Sequence, residues 1–141
     1  MRPSFEQIYM ELAQSIARRS TCDRLKVGAV LTTTDFRKVL SLGYNGNAAG
    51  LANGCDSPEP GNCGDLHAEI NCVINCDCPR YVEKILFCTH LPCKMCAKAI
   101  VNLGNVKKVW FGAEYRSKEA FEIFNLCQIE HEQFISEDLN L

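Results

Sequence analysis

The chain has 141 residues, of which 47% are hydrophobic and 23% are charged, and its formal net charge is −2 at pH 7. This length fits a single domain, 1–141, and the apolar content is sufficient for a substantial core. The slightly acidic balance argues against a dedicated nucleic-acid-binding protein, because phosphate contacts normally require a basic surface. No apolar run in the sequence is long enough to cross a membrane, so we expect no membrane partner.

The chain contains 10 cysteines, a number that would suit a secreted disulfide scaffold. The sequence opens with Met1-Arg2-Pro3 and then a polar helix start, which does not resemble the apolar segment of a signal peptide. Reduced thiols and metal ligands therefore account better for the cysteines, and we expect a cytoplasmic protein.

The first half of the chain is predicted to form a helix, a β-hairpin and a long loop. Ser4 and Gln7 form a plausible capping box, and apolar residues follow at helical spacing. Two β-rich runs flank a short polar turn at Asp35, which is typical of a hairpin. The predicted segments are helix 4–19, strands 27–33 and 38–44, and loop 45–65. A loop of this length is a candidate substrate or regulatory loop, although a solvated surface loop is the alternative.

The second half alternates between helices and strands. The predicted helices are 66–75, 92–103 and 117–127, and the predicted strands are 84–89, 107–112 and 129–134. Such alternation indicates parallel strands joined by helical crossovers. The sequence therefore predicts the α/β class, with a three-layer α/β/α sandwich around a mixed five-stranded sheet whose last strands are parallel.

The most informative motif is H-A-E at 67–69, followed downstream by P-C-K-M-C at 92–96. The imidazole of His67 and the thiolates of Cys93 and Cys96 can occupy three tetrahedral positions of Zn²⁺ and leave one for water. Thiols at a helix start ionise more readily, which favours metal binding. The carboxylate of Glu69 can move the protons of that water, so the pattern predicts a catalytic, hydrolytic zinc site.

A C-x-x-C pair by itself does not indicate catalysis. It can be a redox pair, half of a structural zinc site, or two buried thiols. A structural zinc site normally closes its fourth position with another Cys or His, whereas Glu69 is better suited to acid/base work than to ligation. The combination with H-x-E therefore favours catalysis, and H-x-E with P-C-x-x-C is the signature of zinc-dependent deaminases.

The chain resembles the cytidine deaminase superfamily and, within it, the deoxycytidylate (dCMP) deaminase group. The segments that carry the resemblance are 17–24, 27–30, 43–46, 67–71 and 89–100. The resemblance implies zinc ligands, a proton shuttle and contacts to the sugar and the pyrimidine carbonyl. The implied zinc ligands are His67, Cys93 and Cys96, and the implied proton shuttle is Glu69. The implied sugar contact is the side chain of Asn45, and the implied contact to the pyrimidine carbonyl is the backbone of Ala68. Tyr115 follows a strand where related enzymes often place an aromatic against the substrate, with a packing role as the alternative.

The resemblance implies hydrolytic deamination of dCMP to dUMP and ammonia, with dCTP as a second candidate substrate. A tRNA or polynucleotide deaminase shares the motif, but the acidic balance and the G-Y-N-G segment 43–46 favour small nucleotides. A non-catalytic zinc module is the third alternative, and the proton carrier Glu69 argues against it.

Members of the group are commonly oligomers, and several are activated by dCTP and inhibited by dTTP through the G-Y-N-G segment. The resemblance therefore implies a homo-oligomer, a trimer or hexamer, with dCTP and dTTP as candidate effectors. Three residues of segment 43–46 permit tight or left-handed turns, which would suit a movable loop. The continuation at 47–51 departs from the family pattern and puts the regulatory contacts in doubt.

Some members of the group also carry a second, structural zinc near the positions of Cys22 and the nucleotide loop. Cys22, Cys55 and Cys63 occupy that region here, but three thiols do not complete a site, so free thiols are the alternative.

Further side chains receive mainly structural predictions. His90 is predicted to be a structural or loop residue, His131 a surface residue, and Cys88 and Cys127 small core residues. Three cations are candidate phosphate partners, with solvated surface charge as the alternative: Arg24, Lys26 and Arg116.

Overall fold

The structure is a computed structural model that describes residues 1–60, 62–115 and 117–136. Its elements in chain order are α1 (Phe5–Ala17), β1 (Gly28–Thr33), β2 (Val39–Tyr44), α2 (Ala68–Asn75), β3 (Lys84–His90), α3 (Lys94–Leu103), β4 (Val106–Ala113), α4 (Glu119–Leu126) and β5 (Glu130–Gln133). No helix in these residues is long and apolar enough to span a membrane.

The five strands form one mixed sheet in the order β2-β1-β3-β4-β5. Strand β1 is antiparallel to both β2 and β3, so Val30 lies between Leu42 and Phe87. Strands β3, β4 and β5 are mutually parallel. The predicted hairpin and the predicted parallel half of the sheet are therefore both confirmed.

Helices cover both faces of the sheet because the buried strands alternate apolar side chains between the two sides. On one face, Met10 and Ala13 of α1 pack with Val30 and Phe87. On the other face, α2, α3 and α4 enclose a larger core that includes Leu31. The predicted three-layer α/β/α sandwich is confirmed.

Two glycines bring helices unusually close to the sheet, one on each face. A Cβ at Gly43 would overlap the carbonyl oxygen of Ala68 and lie 2.5 Å from the backbone nitrogen of Cys72, both in α2. A Cβ at Gly28 would overlap the carbonyl oxygen of Ala13, in α1 on the opposite face. These positions therefore require glycine for close packing.

Segment 43–46 was predicted to permit tight or left-handed turns, and the structure shows no left-handed residue in it. Among the described glycines, positive φ angles occur at Gly50, Gly54, Gly64 and Gly104, and not at Gly43 or Gly46. The glycine at 43 serves the approach of α2 instead, so its physical role is helix packing and not backbone mobility.

Helix ends differ from the predictions by a few residues. Helix α1 begins after Ser4, whose Oγ accepts a hydrogen bond from Gln7 N at 3.1 Å, and ends two residues before the predicted Arg19. Helix α3 begins at Lys94 and not at the predicted proline, because Cys93 occupies the N-cap with extended backbone. The last strand is confined to Glu130–Gln133.

Lys84 is a fully buried cation at the start of β3. Its Nζ donates hydrogen bonds to the carbonyl oxygens of Arg80, Val82 and Gly104 at 3.2, 2.7 and 2.9 Å. These contacts join the segment before β3 to the end of α3, where the C-cap Gly104 has a positive φ of 89°, a backbone conformation that favours glycine. Buried polar groups are tolerated when they are fully hydrogen-bonded, as here.

Candidate metal centre

Two helix starts face each other at the predicted metal site. His67 is the N-cap of α2 and Cys93 is the N-cap of α3, and neither side chain caps its own helix. Instead, the Nδ1 atom of His67 lies 3.4 Å from the Sγ of Cys93 and 3.3 Å from the Sγ of Cys96. The three side chains predicted as metal ligands are thus brought together.

The donor set fits Zn²⁺ with an open position. The ligand atoms of His67, Cys93 and Cys96 lie within 4.8 Å of one another, and no fourth His, Cys, Asp or Glu among the described residues joins this group. One imidazole and two thiols supply three tetrahedral ligands, which leaves the fourth position for water or substrate.

The two thiols of this site differ strongly in acidity. The hydrogen bond from Cys96, together with one from His67, lowers the pKa of Cys93 to about 3. The pKa of Cys96 is raised, because this thiol gives its proton to the hydrogen bond with Cys93 and is buried near Glu69. The pair is therefore already poised with one thiolate, and a metal ion would replace the remaining proton.

Glu69 lies in the first turn of α2 and is only 4% exposed. Burial raises the pKa of its carboxyl group above the ordinary value. A carboxyl group with a raised pKa can both accept and return a proton closer to neutral pH than an exposed one. Its environment is therefore suited to proton transfer beside the cluster.

A single cavity connects the metal cluster to the residues predicted to contact substrate. Asn45, Ala68 and Tyr115 all line this cavity together with His67 and Glu69. The predicted site residues are thus adjacent in space, although they come from separate parts of the chain.

Asn45 also has a structural task. Its Oδ1 accepts a hydrogen bond from Val27 N at 2.9 Å, and its Nδ2 donates one to the carbonyl oxygen of Leu25 at 2.7 Å. The amide thereby ties the end of β2 to the segment before β1. One Nδ2 hydrogen and one Oδ1 lone pair remain for a ligand.

Sequence reasoning missed one lining residue of the same cavity, His90, whereas Arg24, a candidate phosphate partner, also lines it. His90 is predicted to be structural, yet its position at the end of β3, three residues before Cys93, is a signal that it lies near the site. Arg24 donates hydrogen bonds to the carbonyl oxygens of Glu59 and Ser57 at 2.9 and 3.1 Å, so it anchors the long loop.

The remaining side-chain predictions have mixed outcomes. Cys88 is fully buried as predicted, but Cys127 is exposed because it follows the end of α4, so its predicted core role is wrong. Lys26 donates to the carbonyl oxygen of Ser20 at 3.1 Å. Arg116 lies outside the described residues.

A second cluster of ligand atoms lies in the loop wall of the cavity. Cys22, Cys55, Cys63 and Asp65 place their ligand atoms within 4.8 Å of one another, and the sulfurs of Cys55 and Cys63 are 2.8 Å apart. Both carboxylate oxygens of Asp65 are buried without a hydrogen-bond partner in the described part of the chain. Asp65 adds a fourth potential ligand to the three thiols that were identified in the sequence.

The acidity of this cluster also suits a metal ion. Burial opposes ionisation of Cys22, but hydrogen bonds from the backbone of Leu25 and Arg24 outweigh it and lower the pKa of this thiol. Burial raises the pKa of Cys63 to about 12. A buried charge without a partner is energetically costly. A divalent cation would compensate the negative charges of Asp65 and of the thiolates.

Comparisons with known proteins agree with this geometry. The sequence model of the family described as "Cytidine and deoxycytidylate deaminase zinc-binding region" matches residues 3–113. The chain is 32% identical over 140 residues to ComE operon protein 2 of Bacillus subtilis, covering 94% of this chain and 72% of that protein. It is also 32% identical over 124 residues to the deoxycytidylate deaminase of Mycobacterium phage D29, covering 77% of this chain and 95% of that protein.

Among solved structures, the dCMP deaminase of cyanophage S-TIM5, crystallised with dCMP and dUMP, superposes with a TM-score of 0.83 at 31% identity. That match covers 95% of this chain and 99% of the phage chain. The chain therefore belongs to the cytidine and deoxycytidylate deaminase family, within its deoxycytidylate deaminase group.

Proposed function

We propose that this chain is a zinc-dependent hydrolytic deaminase that converts dCMP to dUMP and ammonia, with dCTP as a second candidate substrate. The observation that carries the proposal is the convergence of His67, Cys93 and Cys96 with the buried carboxyl of Glu69 at one cavity. The relatives named as dCMP deaminases support the same substrate class.

His67, Cys93 and Cys96 hold the metal through one imidazole nitrogen and two sulfurs. A Zn²⁺ ion held there would lower the pKa of a bound water molecule from about 15.7 to about 7 and so supply hydroxide at neutral pH. The start of α2 and the start of α3 fix these ligands, and the partial positive charge of each helix start stabilises the thiolates.

Glu69 moves the protons of the reaction. It takes the proton of the attacking water and delivers it to ring N3 of the cytosine. It then takes the proton of the new hydroxyl group at C4 and gives it to the amine, which leaves as ammonia while C4 becomes a carbonyl. Burial favours this cycle because it raises the pKa of the carboxyl group. The Ala68 backbone binds the pyrimidine carbonyl and Asn45 approaches the sugar, while Tyr115 packs at the cavity wall.

Two other functional classes make different predictions. A tRNA or polynucleotide deaminase would act on nucleic acid and would require a basic approach surface, which the net charge of −2 does not favour. A non-catalytic zinc module would show no turnover of any cytosine substrate. The buried proton carrier beside an open metal site is not needed by such a module.

The decisive experiment measures ammonia release by the zinc-loaded protein from cytidine, deoxycytidine, dCMP, dCTP and tRNA. We expect dCMP to be preferred. The matched variant Glu69→Gln keeps the side-chain shape but removes the carboxylate, so zinc content should stay the same while turnover falls by about 100-fold or more. Absence of ammonia release from every substrate would overturn the proposed activity. Near-normal turnover by Glu69→Gln would overturn the proposed role of Glu69.

We also propose that Cys22, Cys55, Cys63 and Asp65 bind a second, structural zinc ion. The support is a complete four-ligand set of three sulfurs and one carboxylate, with the Asp65 oxygens otherwise unpaired among the described residues. A closed set of four protein ligands leaves no position for water, which is typical of a structural site.

Metal analysis distinguishes the two sites. The parent should contain two zinc ions per chain, Cys63→Ser should contain one and keep the catalytic metal, and Cys127→Ser should serve as the matched control with two. A parent with one zinc ion per chain after zinc loading would refute the second site.

The assembly and regulation of the enzyme are further parts of this proposal. We expect a homo-oligomer, a trimer or hexamer, as the resemblance to the deoxycytidylate deaminase group implies. Light scattering that gives a monomer at micromolar concentration would contradict the assembly. We expect the enzyme to act in the cytoplasm, where its thiols stay reduced.

Regulation by dCTP and dTTP requires that these nucleotides bind two states of the enzyme with different affinities. The packing role of Gly43 makes motion of segment 43–46 itself an unfavourable source of those states. The test is a dCMP saturation curve with and without each triphosphate. An unchanged curve eliminates the regulatory part of the proposal.

A further inference from the structure

His90 occupies a position in the cavity to which the proposed mechanism gives no task. It ends β3, lines the same cavity as Glu69, and does not belong to the metal cluster. Its ring is half-buried. A polar ring at this position affects whatever binds in the cavity.

One side of the His90 ring is anchored to the sheet. The Nδ1 atom of His90 lies 2.9 Å from the Oγ1 of Thr89, a side chain that is 2% exposed. The same Oγ1 accepts a hydrogen bond from the backbone N–H of Gly28 at 3.1 Å, in the neighbouring strand β1. Two strands therefore fix the orientation of the imidazole.

The other ring nitrogen remains available. No group in the described part of the chain bonds to Nε2, which lies on the side of the ring away from Thr89. Burial lowers the pKa of His90, so the ring is neutral at pH 7. A neutral imidazole held through Nδ1 offers Nε2 as a single hydrogen-bonding atom without a fixed charge.

We infer that His90 is a positioning residue for the bound nucleotide, with Nε2 hydrogen-bonding to an oxygen of its sugar or phosphate. The base carbonyl is assigned to the Ala68 backbone, so the remaining oxygens of dCMP are those of the deoxyribose and the phosphate. This inference rests on the proposed nucleotide substrate. It assigns His90 to affinity and orientation and leaves the proton transfers to Glu69.

The test compares two amide replacements that reach different ring positions. The amide of His90→Asn reaches the position of Nδ1 and can keep the Thr89 contact, whereas the amide of His90→Gln reaches the position of Nε2. Both variants are made in the zinc-loaded Glu69→Gln protein, which allows the Kd of dCMP to be measured by calorimetry without turnover. His131→Asn, which changes a histidine outside the cavity, is the matched control.

We expect His90→Asn to weaken dCMP binding by about 3- to 12-fold, the effect of one neutral hydrogen bond. His90→Gln should stay within about twofold of the parent, as should the His131 control. In the active enzyme the same loss should appear in KM, with kcat within about twofold. Repeating the titration with deoxycytidine separates the two sources: a loss that disappears assigns the contact to the phosphate, and a loss that persists assigns it to the sugar.

Unchanged dCMP affinity of His90→Asn would overturn the inference. It would also be overturned if His90→Gln bound as weakly as His90→Asn while both variants lost thermal stability or zinc, because that pattern belongs to a structural residue. The proposed activity is tested by a different measurement. A parent protein with intact Glu69 that releases no ammonia would refute deamination, whereas the dCMP dissociation constants of the variants would still test the role of His90.

Discussion

Gly43→Ala is expected to damage the metal site by moving a helix, although the substituted residue contacts neither metal nor substrate. The new Cβ would overlap the carbonyl oxygen of Ala68 and lie 2.5 Å from the backbone nitrogen of Cys72. Ordinary contact begins at 3.4 Å, and both neighbours are backbone atoms that cannot rotate away. Helix α2 must therefore retreat from the sheet by about 1 Å, and it carries Glu69 with it.

The magnitude has two parts. Overpacking of a dense interior costs about 1–3 kcal/mol, which lowers the melting temperature of a domain of this size by about 3–12 °C. Misplacing catalytic groups by about 1 Å costs on the order of 100-fold in rate. The loss of activity should thus exceed the loss expected from destabilisation alone, because the assay is run far below the melting temperature.

The matched control is Gly28→Ala, where the new Cβ meets the backbone of α1 on the opposite face of the sheet. The melting temperature, the zinc content and the dCMP turnover well below the melting temperature are measured for both variants. Both should lose similar stability, but only Gly43→Ala should lose about 100-fold in kcat/KM. Equal activities of the two variants would refute the argument that Gly43 sets the distance between α2 and the sheet.

Three more outcomes are expected. Cys93→Ala should lose catalytic zinc and activity together, measured by metal analysis and ammonia release, because two ligands hold the ion too weakly. Lys84→Met should lower the free energy of unfolding by about 3 kcal/mol in urea, since three carbonyl groups, one of them buried, lose the donor Nζ. The exposed Lys118→Met should change it by less than about 0.5 kcal/mol. In chelated protein the raised pKa of Glu69 favours folding in the protonated form. The stability it contributes is therefore present below its ordinary pKa of 4.5 and lost as pH rises through the folded value. Glu69→Gln should accordingly gain stability relative to the parent as the pH rises above 4.5, and a pH-independent difference in melting temperature would contradict this.

The parts of the fold that could be predicted are those in which the hydrophobic pattern of two neighbouring strands and the length of the segment between them favour the same pairing. The polar turn between two β-rich runs could only close as a hairpin, and the helices between later strands required parallel crossovers. The antiparallel pairing of β1 with β3 carries no comparable local signal, because it joins strands that are distant in the chain. Helix starts were displaced by one or two residues because capping geometry, and not hydrophobic period, decides where a helix begins.

The metal motif was predictable because its ligands are close in sequence to helix starts, so spacing alone indicates a shared site. Asp65 and His90 were not predictable in the same way. Asp65 joins three cysteines only through the path of the long loop, and His90 is identified by the cavity that it lines. An isolated aspartate gives no signal of such a cluster, and the sequence signal for His90 is limited to its position three residues before Cys93.

The arrangement of the loop explains how a long connection can present catalytic groups accurately. Cys63 and Asp65 belong to the proposed loop metal, while His67 and Glu69 lie two and four residues beyond Asp65. Between these sets, Leu66 exchanges backbone hydrogen bonds of 2.9 and 3.1 Å with Gly46 at the other end of the loop. A free connection of this length would sample many positions and place the catalytic residues poorly. The last residues of the loop are held on both sides of the Gly46–Leu66 pair, by the proposed loop metal at Cys63 and Asp65 and by α2. The first turn of α2, which carries Glu69, is therefore held in a fixed position, as the reaction requires.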